Sequence, residues 1–125
     1  MKSYTDISQS KKLAEILPHK SADGTWEKVS ICGAKVDIPE DMQYRHKEIP
    51  FSFFSGIGVP SWSLAALLEI IKKPTAFDLL INGRGCRLHC TDKYEGKFYG
   101  TNDYCETPID ACIEVIIKLH EQKLL

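Results

Sequence analysis

Apolar residues recur at helical spacing in three segments of the chain, which is the pattern of amphipathic helices. The first helix is predicted over 6–17, where Asp6 can cap the N-terminus and Gln9 can complete a capping box. Pro18 ends this segment because proline cannot continue a helix. The second helix is predicted over 61–72 and is apolar around most of its circumference, so we expect it in the core.

The third helix has the clearest start signal. Thr107 is a typical N-cap, and Pro108 in the first turn lacks the N–H that would otherwise be unpaired there. Glu114 and Lys118 form an i,i+4 pair on the outer side. The apolar positions at helical spacing are Ile109, Cys112, Ile113, Ile116 and Leu119. These features predict a helix over 107–120 or slightly longer.

Two strands are predicted before the second helix. Residues 26–31 and 35–38 flank the sequence Cys-Gly-Ala and are predicted to form a hairpin. Residues 39–60 contain three prolines and two glycines, and we expect them to form a long irregular loop.

Three more strands are predicted before the third helix. Residues 77–81 precede Asn82-Gly83, a strong tight-turn signal. Residues 85–92 then alternate in polarity, and 97–101 form the last strand. The predicted order is α-β-β-α-β-β-β-α. Strands linked by short turns favour a single α+β domain over 1–125, with a small antiparallel sheet and three helices on one face.

Composition fits one ordinary globular domain, with 125 residues, 43% apolar and 26% charged. The 16 basic and 17 acidic residues give a net charge of −1, which disfavours binding to long nucleic acids. No apolar run is long enough for a signal peptide or a membrane span. Five cysteines without a secretion signal are expected to be reduced thiols. We therefore expect a cytoplasmic protein, in a bacterium or an infected host cell.

Three segments resemble a family of short phage and mobile-element proteins from gut bacteria. They are Ser10-Lys-Lys-Leu-Ala-Glu-Ile-Leu-Pro18, Pro60-Ser-Trp-Ser-Leu-Ala-Ala-Leu-Leu68 and the C-terminal stretch 107–125, together 37 of the 125 residues. The resemblance implies a phage-like genomic setting, in which small proteins without catalytic motifs often act by binding. It carries over no activity and no site residue.

Cationic and aromatic side chains are interleaved along the last predicted strands. The candidate ligand-binding residues are Arg84, Arg87, His89, Lys93, Tyr94, Lys97 and Tyr99. Arg87 and His89 are predicted to share one strand face, and Lys97 and Tyr99 a face of the next strand. Cations beside aromatic planes suit an anionic ligand with a stacking base. Together with the resemblance to short phage proteins, this pattern predicts a non-enzymatic binding protein that sequesters a nucleotide-like host immune signal; the alternative is a solvated outer face.

A second hypothesis concerns apolar side chains near the middle of the chain. Phe51, Phe53, Phe54 and Trp62 are candidates for an oligomer or partner surface. They predict a homo-oligomer, or an inhibitor that blocks a host protein; the alternative is a well-filled monomer core.

A thiol- or metal-dependent enzyme is the third hypothesis. Cys86-x-x-His89-Cys90 offers soft metal ligands, but strand alternation places His89 opposite both cysteines. Cys90 or Cys105 would need a nearby histidine and a lowered thiol pKa to act as a nucleophile. No second pair of closely spaced ligands is present. We therefore expect no metal, no cofactor and no catalytic residue.

Overall fold

The computed structural model describes residues 3–29 and 38–125 and confirms the α+β class. The chain divides into two compact units. The N-terminal unit is Thr5–Trp62, and the C-terminal unit is Ser63–Leu125 with the first residues up to Tyr4. Each unit contains a helix followed by a three-stranded antiparallel sheet. The predicted single sheet is therefore replaced by two small ones.

The N-terminal unit begins with helix α1, Ile7–Ala14. The predicted capping box is confirmed: the Gln9 N–H donates to Asp6 Oδ1 at 2.8 Å, and the Asp6 N–H donates to Gln9 Oε1 at 3.1 Å. The helix ends three residues before the predicted Leu17. The conformation of the residue before Pro18 is restricted, which favours this early end.

The sheet of this unit consists of β1 (Gly24–Lys28), β2 (Tyr44–Lys47) and β3 (Gly58–Ser61), with β1 in the centre. Strand β2 and all of β3 except its last residue, Ser61, lie inside 39–60, so the expectation of an irregular loop there is wrong for these two strands. The turn and most of the second strand of the predicted 26–31/35–38 hairpin lie outside the described residues.

Trp62 follows β3 and is completely buried. Its indole N–H donates to Ser21 Oγ at 2.9 Å, and its backbone N–H donates to Thr5 Oγ1 at 3.1 Å. Because both donors are paired, the ring can enter the core without an unsatisfied polar group. Trp62 therefore belongs to the interior, and its prediction as part of a partner surface is wrong.

The C-terminal unit begins with α2, Leu64–Ile71, capped by Ser63 rather than starting at residue 61 as predicted. Its sheet contains β4 (Thr75–Asn82), β5 (Gly85–Asp92) and β6 (Phe98–Gly100) in that order. Helix α3, Pro108–Glu121, has Thr107 as its N-cap, as predicted.

Helix α3 packs against β5, β6 and α2, and supplies most of the core of this unit. The fully buried side chains at this contact include Leu67, Ile71, Leu88, Ile109, Ile116 and Leu119. On β5, Cys86, Leu88 and Cys90 are buried and the residues between them are half-buried. The alternation predicted for this strand is confirmed. No helix among the described residues has the length and apolar character needed to cross a bilayer.

Candidate functional site

A shallow cleft lies where β6 ends beside β5. Its volume is about 410 Å³. It is lined by Arg87, His89, Phe98, Tyr99, Gly100, Thr101, Asn102 and Lys118. We call it the β5–β6 cleft. It contains three of the seven candidate ligand-binding residues: Arg87, His89 and Tyr99.

The strand register decides which aromatic ring accompanies the cations of the cleft. Gly100 lies opposite His89 and Phe98 opposite Thr91, so Phe98 shares the face of Arg87 and His89. The rings of His89 and Phe98 are 5.3 Å apart at an interplanar angle of 62°. Tyr99 lies opposite Cys90, on the face of the buried cysteines. Phe98 therefore takes the position that the sequence analysis assigned to tyrosines.

Arg87 is the main cation of the cleft. Its Nη2 donates to the Thr101 carbonyl at 3.3 Å, and its guanidinium carbon lies 5.3 Å from the centroid of the Tyr104 ring. Its Nε is buried and makes no hydrogen bond, and no carboxylate in the described part of the chain forms an ion pair with it. Arg87 thus has an unused donor and an uncompensated charge, which an anion in the cleft would neutralise.

Lys118 also lines the cleft, but its ammonium group is already occupied. Its Nζ donates to the Gly100 carbonyl and, at 3.0 Å, to Asn102 Oδ1, and it lies 3.6 Å from Glu114 Oε1. Through these two hydrogen bonds and the ion pair, Lys118 links the end of β6 to α3. The sequence analysis identified only the Glu114–Lys118 pair, because the contacts to Gly100 and Asn102 are long-range.

Four predicted site residues, Arg84, Lys93, Tyr94 and Lys97, lie outside the β5–β6 cleft and are exposed. The Arg84 N–H donates to Asn82 Oδ1 at 2.8 Å in the β4–β5 turn. Tyr94 is 78% exposed in the β5–β6 connection. Lys97 is 3.5 Å from Glu95, a surface ion pair of little strength. None of these side chains lines the β5–β6 cleft with Arg87.

Lys93 lines a second open cleft, together with Lys72, Lys73 and Phe77. Its Nζ donates to the Lys72 carbonyl at 2.7 Å, so its position is fixed by the C-terminal end of α2. The predicted basic and aromatic residues therefore divide between the β5–β6 cleft, this lysine cleft and the exposed turns.

Three cysteine thiols of the C-terminal unit, those of Cys90, Cys105 and Cys112, have raised pKa values. Burial raises the pKa of Cys90 to about 11 and that of Cys112 to about 12. Burial and the adjacent Glu114 carboxylate, 3.4 Å from Cys105 Sγ, raise the pKa of Cys105 to about 11. A thiol with such a pKa has very little thiolate at neutral pH. Within the described ranges, no three His, Cys, Asp or Glu side chains are grouped so that they could hold a metal ion.

The phenylalanines predicted as a partner surface have unequal exposure. Phe53 is 81% exposed, whereas Phe51 and Phe54 are half-buried. Phe51 packs edge-on against His19 with ring centroids 5.4 Å apart. Phe54 packs against Gly58, where an added Cβ would lie 2.9 Å from its ring. Ile57 is 75% exposed in the same segment. Phe53 and Ile57 are the members of this region that a partner could reach.

Comparisons with protein-family models, curated proteins and solved structures find no significant match to the chain.

Proposed function

We propose that the chain binds an anionic, nucleotide-like ligand in the β5–β6 cleft and retains it without chemical turnover. The observation that carries this proposal is the guanidinium of Arg87, which has no carboxylate partner among the described residues and adjoins the His89–Phe98 ring pair. A phosphate offers a guanidinium two acceptors at once, and an aromatic base can stack on an exposed ring.

The dimensions and exposure of the cleft support a small ligand. A volume of about 410 Å³ lies within the usual range for small-molecule sites. Phe98 is 66% exposed, so one side of its ring remains available for stacking. Arg87 and Phe98 lie on neighbouring strands, which keeps the distance between cation and ring constant.

Retention without reaction is supported by the chemistry of the neighbouring groups. The Lys118 ammonium group donates two hydrogen bonds to protein acceptors and forms an ion pair with Glu114, and the raised pKa of the nearby Cys105 thiol, about 11, leaves very little thiolate at neutral pH. His89 is the remaining candidate base in the cleft. Binding would therefore depend on charge-assisted hydrogen bonds and stacking.

The resemblance to short phage proteins suggests where such a ligand would come from. A small binding protein of that setting, acting in the cytoplasm of a bacterial host, would lower the free concentration of a nucleotide signal by sequestering it. We infer that the ligand is a host immune signal of this class.

Isothermal titration calorimetry with cyclic and linear nucleotides, nucleosides and inorganic phosphate tests the proposal. At least one nucleotide should bind, and its nucleoside should bind more weakly. Arg87→Gln should weaken binding by about tenfold or more, because a charge-assisted hydrogen bond is lost. Phe98→Ala should weaken it about tenfold through lost stacking. Arg45→Gln, an exposed arginine of β2, is the matched control and should change nothing.

Two results would contradict the proposal. One is the absence of heat and of thermal stabilisation with every nucleotide in the set. The other is nucleotide binding that Arg87→Gln and Phe98→Ala both leave unchanged, since the ligand would then occupy another site.

A second candidate function is inhibition of a host protein through the exposed apolar segment of the N-terminal unit. Phe53 and Ile57, at 81% and 75% exposure, favour it because large apolar side chains so exposed often mark a binding surface. A pull-down from bacterial lysate, with Phe53→Ser as the matched bait, should recover a partner with the natural chain alone. Recovery of the bait by itself would count against this function.

A further inference from the structure

Strand β4 forms one edge of the C-terminal sheet and has few of the features that usually protect an edge. It has eight residues and pairs with β5 in unbroken register from Thr75 to Asn82. It contains no proline, no lysine and no bulge. The opposite edge is protected, because β6 has only three residues. An open, regular edge of this length is a template for pairing with another strand.

The hydrogen-bond pattern of β5 identifies which β4 groups point outward. Cys86 exchanges both backbone hydrogen bonds with Cys105, each at 2.8 Å, and the Leu88 carbonyl accepts from the Thr101 N–H. The backbone N–H and C=O groups of the even-numbered β5 residues therefore point away from β4, and those of Arg87 and His89 point towards it.

The register pairs Arg87 with Leu80 and His89 with Asp78, and each pair exchanges backbone hydrogen bonds. The N–H and C=O groups of Phe77, Leu79 and Ile81 consequently point away from the sheet. No backbone hydrogen bond from the described residues reaches them.

Most side chains of β4 are less buried than their register partners on β5. On the inner face of β5, Cys86, Leu88 and Cys90 are at most 2% exposed. Their register partners on β4 share that face, yet Ile81 is 59% exposed and Leu79 is half-buried. The apolar layer is complete over β5 and incomplete over β4.

We propose that β4 pairs antiparallel with β4 of a second copy of this chain, about a two-fold axis at Leu79. The C-terminal sheets of the two copies, each with three strands, then form one continuous six-stranded sheet. Leu79 lies opposite its own equivalent, Phe77 lies opposite Ile81, and Leu80 lies opposite Asp78. This pairing is isologous and closes at the dimer.

Hydrogen bonding and charge select this register. It keeps inner side chains opposite inner side chains, and it pairs the outward N–H and C=O groups of Phe77, Leu79 and Ile81 on both copies. A two-fold axis at Asp78 would place two aspartates directly opposite, which is unfavourable. A two-fold axis at Leu80 would place Phe77 opposite Gly83, in the β4–β5 turn of the other copy, where it has no strand partner. Asp78 is the one charged residue of β4, so the register at Leu79 brings no like charges together.

A pair of substitutions tests both the dimer and its register. Leu80→Asp places a new carboxylate opposite Asp78 of the other copy, twice in the dimer, and should raise the dimer dissociation constant about tenfold. The same carboxylate lies across from Arg87 in its own sheet, so the fold is not penalised. Adding Asp78→Lys to Leu80→Asp replaces each repulsion by an attraction and should restore the dimer.

Sedimentation equilibrium over a wide range of protein concentration is the measurement, with far-UV circular dichroism to confirm folding. Hydrogen exchange should show the amides of Phe77, Leu79 and Ile81 becoming protected as concentration rises. A mass of 14.1 kDa at every concentration would overturn the proposal. So would a dimer that Leu80→Asp leaves intact, or these amides remaining unprotected in a dimer, since another surface would then form the contact.

Discussion

At the scale of single residues, partial burial on a sheet changes the chemistry of a polar side chain. The Arg87 guanidinium has a buried Nε that makes no hydrogen bond and has no carboxylate partner among the described residues, so an anion in the β5–β6 cleft would serve as its counter-ion. His46 shows a different consequence of partial burial. Its Nε2 lies 2.8 Å from Ser61 Oγ, and its ring lies 4.8 Å from the Trp26 ring. Burial lowers the pKa of His46, and the nearby carboxylates of Glu48 and Asp23 oppose part of that shift.

The lowered pKa of His46 predicts a stability that falls in acid. The unfolded chain titrates this histidine near its ordinary value of about 6.5, whereas the folded chain holds the pKa below it. Between the two values the unfolded state binds more protons, so the free energy of unfolding rises with pH. The contribution is complete above about pH 6.5 and is lost as pH falls towards the folded-state pKa.

Urea unfolding of the natural chain and of His46→Gln at a series of pH values measures this effect. The difference in unfolding free energy between the two should shrink as pH falls from about 8 to about 5, because the variant has no histidine to protonate there. A difference that stays constant over that range would contradict the prediction.

At the scale of elements, the segments with local signals form as the sequence predicts. The capping box of α1, the Thr107 cap of α3 and the Asn82-Gly83 turn each lie within a few residues of the structure they start. Strands β2 and β3 lack such signals and form because β1 lies between them. The same distinction explains why residue 61, predicted as helical, ends a strand instead.

Removing the cap of α3 should destabilise the C-terminal unit. The Asp110 N–H donates to Thr107 Oγ1 at 3.2 Å, and Thr107→Ala removes this acceptor. We expect a loss of about 1 kcal/mol in the free energy of unfolding. Thr107→Ser retains the hydroxyl oxygen and should recover most of that loss. Denaturant titration followed by circular dichroism is the measurement, and equal stability of the alanine and serine variants would refute the capping role.

At the scale of the whole molecule, the near-neutral charge limits the size of an anionic partner. The net charge is −1, and the basic side chains of the C-terminal unit divide between two clefts and exposed turns. Long nucleic acids need many phosphate contacts along a continuous basic surface. A single nucleotide needs only the contacts of one cleft.

Fluorescence anisotropy can separate these two kinds of ligand. Labelled duplex DNA should not bind at physiological salt, because few phosphates can be neutralised at once. A labelled nucleotide should bind, with a modest dependence on salt. Tight binding of the duplex with a steep salt dependence would contradict the expected absence of long nucleic acids as partners.

The sequence by itself determined the α+β class, the caps of α1 and α3, the β4–β5 hairpin and the alternation of β5, because these depend on neighbours close along the chain. It also identified Arg87 and His89 as sharing one face. Only the tertiary structure decided that Phe98 joins them in place of Tyr99, and that Lys118 is fixed by Gly100 and Asn102. Register and long-range hydrogen bonds join residues distant in sequence, and no local pattern encodes those pairings.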